Sequence, residues 1–290
     1  MPRTSPGTLA RRQRLQRAQQ RRRGIVAAVL IVTALLVGVD LIRRGASIGA
    51  ANPPARTQQT IAAPPTSAAP ASPSPSAAPA SSAPPAPVYA LAGDYPRSGP
   101  GTWVYGTTQG PVLGTAGILR RFRVAIETGV PEDIAAFAAK VDETLGDARS
   151  WIAGRTFRLQ RVPANATFEF TIYLATPETA RRLCAGGGVD IRINGTPYTS
   201  CRTFGQVILN LARWRESTLE FVRARIPLEV YRQYLINHEA GHQFGYGHEL
   251  CPGGGRPAPV MQTQTLGLRG CTANPWPYLD GRRYAGRSGQ

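Results

Sequence analysis

An α+β fold is what the sequence predicts for residues 88–290, and three observations carry that expectation. Alternating segments and helix-periodic segments follow one another through most of this stretch. The last helical segment ends in a dense group of histidines, and the chain after it turns rich in Pro and Gly. About 200 residues suit one domain with a sizeable core.

Taken in order, residues 1–23 hold eight arginines and no acid, and read as a cytoplasmic basic segment. An uninterrupted apolar run, Ile25–Val39, follows, and the Arg43-Arg44 pair closes the segment. From Ile25 to Ile42, at about 1.5 Å per residue, the run reaches roughly 27 Å, close to the ~30 Å of a bilayer's hydrocarbon layer. Residues 24–44 are therefore expected to form a transmembrane signal-anchor, with the heavier arginine load holding the N-terminus inside. Cleavage by a signal peptidase near Gly49-Ala50-Ala51 is the alternative; both place the remainder outside the cell. Residues 45–87 read as a linker, since Ala51–Pro87 contains eleven prolines and one charge, Arg56. Such a segment cannot bury enough apolar surface to fold.

In the folded part, Leu119–Glu127 alternates, with Phe122, Val124 and Ile126 on one side, and reads as a strand. Pro131 opens a helix with Glu132 and Asp133 in its first turn, and Ile134, Phe137, Ala138, Val141 and Leu145 as its buried stripe. Phe168–Leu174 alternates more clearly than any other segment. A short helix over Pro177–Leu183 and a strand over Gln206–Leu211 follow. Pro227 then begins the last helix, along which Tyr231 and Leu235 share a face with His238 and His242.

All three histidines of the chain lie within eleven residues, in the order His238-Glu239-x-x-His242-x-x-Gly245-x-x-His248. Residues four apart on a helix share a face, so His238 and His242 present two ring nitrogens to one ion. Glu239, one position round, sits beside that ion and is better placed for its water than for coordination. Gly245 breaks the helix, because glycine enters φ > 0 without penalty, and His248 returns as the third ligand. Three protein nitrogens leave an open fourth position, the arrangement of a catalytic zinc (Zn2+) site. Zinc lowers the pKa of its water to about 7, and Glu239 takes the proton as general base. A bare HExxH arises by accident in many chains, but here five fixed positions match.

With these residues the sequence resembles the metzincin clan of zinc metallopeptidases. Pro259-Val260-Met261-Gln262 resembles that clan's Met-turn, which places Met261 beneath the metal. The resemblance implies a zincin-like fold: a mixed twisted sheet, two main helices above a cleft, and an irregular C-terminal lower subdomain. It also implies an antiparallel edge strand that pairs with an extended peptide or protein substrate, for which Gln206–Leu211 is the candidate. Glu249 follows the third histidine as in the astacin branch, yet Gln262 and Thr263 stand where that branch has a tyrosine ligand. No established branch is assigned. The chain looks closer to a metzincin-like family of exported proteins from high-GC Gram-positive bacteria.

Four cysteines, all beyond the linker, fit an oxidising compartment. Proximity favours Cys184–Cys201 and Cys251–Cys271, with three connectivities open. Residues 88–290 carry 23 basic against 16 acidic residues, and anionic cell-wall polymers are one expected partner of that surface. No nucleic-acid-binding signature is present. Tyr246 and Tyr278 are candidates for oxyanion donors or for plain packing, and Trp276 for packing. The expected activity is zinc-dependent peptide-bond hydrolysis by a membrane-tethered enzyme. The alternative is a zinc-stabilised envelope-binding module without proteolysis.

Overall fold

The computed structural model describes residues 86–289. The expected basic segment, the signal-anchor and the linker up to residue 85 lie outside the described residues. Among the described residues no helix is long and apolar enough to cross a membrane.

The architecture is α+β, built on one mixed seven-stranded sheet. Its strands are β1 (Trp103–Tyr105), β2 (Val112–Leu113), β3 (Ile118–Glu127), β4 (Phe157–Arg161), β5 (Phe170–Ala175), β8 (Cys201–Thr203) and β9 (Gln206–Asn210). They run in the order β2-β4-β3-β5-β9-β8, with β1 also paired to β3. The pairs β3–β4, β3–β5 and β5–β9 are parallel; β2, β1 and β8 add antiparallel at their own positions. Two short ribbons stand apart from the sheet, β6 (Arg192–Ile193) with β7 (Thr196–Pro197) and β10 (Tyr278–Leu279) with β11 (Arg282–Arg283).

The expected strand at Leu119–Glu127 is β3, and its alternation sorts as read: Phe122, Val124 and Ile126 enter the main core. Helix α1 (Ile134–Gly146) starts three residues later than Pro131, because the Asp133 carboxylate accepts the Ala136 N–H and acts as N-cap. Glu132 thus lies outside the helix, paired with Arg215. The stripe Phe137, Ala138, Val141 and Leu145 is buried as expected. The strand expected from Phe168 begins at Phe170; Phe168 stays on the surface beneath the Arg123 guanidinium, 3.7 Å from its ring centroid. Alternation there suggested one wet face, yet all six residues of β5 are buried. Parallel neighbours on both sides and helices on both faces explain this. Helix α2 (Pro177–Gly186) covers one face, over a core of Ala125, Tyr173, Ala175, Ala180, Cys184, Ile191, Cys201 and Ile208.

The opposite face carries α1 and the long helix α5 (Leu228–Gln243), whose Tyr231, Tyr234, Leu235, Ile236 and Ala240 fill the larger core. Between β9 and α5 come α3 (Leu211–Glu216) and α4 (Leu219–Arg223). Leu211 belongs to α3, not to the strand, because the Asn210 side chain accepts the Ala212 N–H and caps that helix. Gln206–Asn210 is also not the edge. It lies between β5 and β8, and the edge strand is the three-residue β8. Nothing in a Cys-Arg-Thr triplet carries a strand period, which is why the pattern pointed one strand inward. Beyond α5 the chain is mostly turns, with a 3₁₀ turn at Gln264–Leu266 and the β10–β11 ribbon, as the Pro/Gly content implied.

At the end of β3 the buried Glu127 ties three segments together. Its carboxylate accepts the Gly101 N–H (2.8 Å), the Thr176 N–H (2.8 Å) and the Thr179 hydroxyl (2.7 Å). Replacing Glu127 with Ala strands these donors, at a cost of about 2–4 kcal/mol. A denaturant midpoint should fall accordingly with the slope unchanged.

Candidate metal centre

Helix α5 delivers His238, Glu239 and His242, and ends at Gln243. Gly245 follows with φ of +97°, the left-handed turn expected of it, and the chain doubles back to His248. The three imidazoles meet. Nε2 of His242 lies 3.2 Å from Nε2 of His238 and 3.2 Å from Nε2 of His248. One ligand atom from each residue falls within 4.8 Å of the others, the spacing of a metal-binding group.

Backbone carbonyls fix which nitrogen is bare. His238 Nδ1 is 2.8 Å from the Val260 carbonyl oxygen, and His242 Nδ1 is 2.8 Å from that of Tyr246. A carbonyl oxygen only accepts, so each Nδ1 carries the proton and each Nε2 presents a lone pair to the cluster. Such outer contacts are the usual support of metal-binding histidines. Burial and the neighbouring His242 hold the His238 pKa well below its usual value. Burial, with the charges of His248 and Arg202, takes His242 down to about 4, and burial lowers His248. All three rings are thus neutral at neutral pH, the form that ligates.

The arrangement fits a cation. For tetrahedral ligands at 2.0–2.1 Å, neighbouring nitrogens stand about 3.3 Å apart, close to the spacing here. Glu239 lies buried beside the histidines and lines the same cleft, and its Oε2 has no hydrogen-bond partner. Burial raises its pKa to about 8. An unpartnered buried carboxylate oxygen at an open cleft is placed for a water or substrate proton.

The segment Pro259–Gln262 packs against the histidine helix, with the Val260 carbonyl at His238 and Met261 beside Gly241. Pro259–Gln262 closes as a tight turn, with the Gln262 N–H donating to the Pro259 carbonyl (2.9 Å). Val260 and Met261 are fully buried. Tyr234 donates its hydroxyl to the Gln262 carbonyl, and Gln264 reaches the carbonyls of Pro259 and Asn274. Both expected disulfides are present. Cys251–Cys271 brackets this turn, and Cys184–Cys201 ties the edge strand β8 to α2. Glu249 ligates nothing in the cluster; its carboxylate takes Arg283 Nη2 (2.7 Å) and the Gly286 N–H, holding the C-terminal segment against the His248 return.

Tyr246 and Tyr278 do not line the cleft. The Tyr246 ring stacks on Trp151, with centroids 4.3 Å apart, so packing accounts for its side chain while its carbonyl orients His242. Tyr278 sits against Gly154, and Trp276 is buried with Arg149 over its ring. The cleft, of about 430 Å³, adds Tyr234, Thr263, Thr265, Leu266 and the β8 residues Cys201 and Arg202 to the histidines and Glu239.

The sequence reading missed two supports. Trp151 Nε1 donates to the Asn237 carbonyl, and the Asn237 side chain accepts from Ser150 and donates to Pro275, pinning the helix just before His238. Gly241 lies where a Cβ would collide with the Met261 sulfur and stand 2.6 Å from Trp151 Cζ2. A signal for it existed: glycine inside a helix costs about 1 kcal/mol, which marks a close approach. Gly241→Ala should therefore push Met261 and its turn off α5, lowering the melting temperature and weakening affinity for a divalent cation about 10-fold or more through the Val260–His238 contact. Metal titration with a competing chelator measures this.

No curated protein and no solved structure matches the chain. A family model does, over residues 90–279, and that span holds the sheet, all three histidines, Glu239 and both cysteine pairs. The chain belongs to the family described as protein of unknown function, DUF3152.

Proposed function

We propose that this protein is a zinc-dependent, metzincin-like endopeptidase, exported and tethered to the membrane by its N-terminal segment. One observation carries the reading: three imidazoles converge, with His242 Nε2 3.2 Å from Nε2 of both His238 and His248, next to a buried, unpartnered carboxylate oxygen at an open cleft. His238, His242 and His248 would hold the zinc, which when bound polarises a carbonyl and acidifies water.

The chain's own residues do the rest. Glu239 accepts the proton of the attacking water through the oxygen that lacks a partner, and returns it to the leaving amine. The Val260 and Tyr246 carbonyls keep His238 and His242 in the ligating tautomer. The edge strand β8 has one free side, with Cys201 and Arg202 lining the cleft, and an extended peptide can add to it there. Arginine-rich surfaces would favour anionic wall polymers near the envelope.

The purified chain should contain stoichiometric zinc and cleave casein or wall peptides in a chelator-sensitive way. Glu239→Ala should keep the zinc and lose about 10²–10⁴-fold in kcat. Unchanged cleavage in that variant removes Glu239 from the chemistry. Stoichiometric zinc with no turnover on any amide favours the non-proteolytic envelope-binding module.

A further inference from the structure

One charge in the cleft is left idle by the chemistry above. Arg202 lies on β8 between Cys201 and Thr203. Cys201 is bonded to Cys184 of α2, and Thr203 packs beside Gly187 at the end of that helix. Alternation along the strand sends Arg202 to the other face, towards α5. There its Nε donates to Gln243 Oε1 at 2.8 Å, one residue past His242, and its side chain lines the cleft.

That bond fixes one edge of the guanidinium. Among the described residues no carboxylate lies within 4 Å of its nitrogens, and its two Nη groups have no protein acceptor. The other charged groups lining the cleft are accounted for. Asp190 is taken up by Arg192, whose Nε and Nη2 each stand 2.9 Å from its oxygens. Glu239 is the base assigned above. Arg202 is therefore a positioned, uncompensated fork, and a planar fork with free donors matches a carboxylate in two-point contact.

We propose that Arg202 is a carboxylate-recognition subsite, so that the favoured substrate is a peptide with a carboxylate close to the scissile amide. This inference rests on the peptidase reading and names the substrate class for the same cleft. An acidic side chain and a free C-terminal carboxylate present the same chemistry. Either one, on a strand added beside β8, would meet the guanidinium near the histidine cluster.

The test uses the full chain loaded with zinc and two kinds of probe. The first is matched peptides that differ only as Glu against Gln beside the cleaved amide, or as free against amidated C-terminus. The second is a pair of hydroxamates that carry a carboxylate or its primary amide, measured by calorimetry without turnover. The carboxylate should be favoured about 10–100-fold by charge-assisted hydrogen bonds. That ratio should fall towards one in Arg202→Gln and survive in part in Arg202→Lys, at wild-type zinc content. Discrimination by the Glu/Gln pair assigns the side-chain source, and by the free/amidated pair the terminal one. Equal affinity for the two hydroxamates, or a preference that survives Arg202→Gln, overturns the inference and leaves the peptidase reading standing. Failure to hold zinc, or to bind either hydroxamate, overturns the peptidase reading and this inference with it.

Discussion

Two hydrogen bonds on the far side of the imidazole rings decide what the histidine cluster presents to a cation. The Val260 and Tyr246 carbonyls hold the protons of His238 and His242 on Nδ1, and so force bare nitrogen lone pairs towards one another at 3.2 Å. Lone pairs so close repel unless something positive stands among them. Loops supply both carbonyls, one from the turn holding Met261 and one from the return after Gly245. The packing of those loops is therefore part of the site's electrostatics. Trp151 ties the second of these loops to α5, since it stacks on Tyr246, donates to the Asn237 carbonyl and stands close to Gly241.

The sheet contributes distance and rigidity. Helix α5 lies on the face lined by Val124, Ile172, Val207 and Leu209, and this core leaves the helix no freedom to roll its histidine face away from the cleft. The second face, closed by α2, makes the central strands fully internal and leaves the outermost strand, β8, with one unpaired side. Here layers of packing lead outward to an open edge beside the cleft, not inward to a buried pocket.

Legibility followed the range of the forces involved. The histidine motif, the glycine break and α1's apolar stripe depend on neighbours along the chain, so their spacing exposed them. Both cysteine pairs were also the near ones. What escaped was decided by short-range caps that override an apolar pattern, or by segments meeting across long separations. Asp133 moved a helix start by capping, and Asn210 did the same at α3, where a hydrophobic run had read straight through. The pattern of Phe168–Leu174 was right about strand but silent on burial of both faces, because a second covering helix is not written in a single strand's period. The edge strand was missed for want of length. Arg202 looked like one of many arginines, and only its fixed contact with Gln243 separates it from them.

The edge strand itself has a thermodynamic consequence. Three residues paired to a single neighbour make a weak strand, which left alone would fray. Here it is fastened on one face by a covalent link to α2 and on the other by an arginine held to α5. The loss of its conformational freedom is thus incurred once, during folding, and the unpaired edge is held extended from then on. Under the peptidase reading proposed above, a guest chain would meet backbone donors and acceptors already in register, and the free energy of its docking would be spent only on its own ordering.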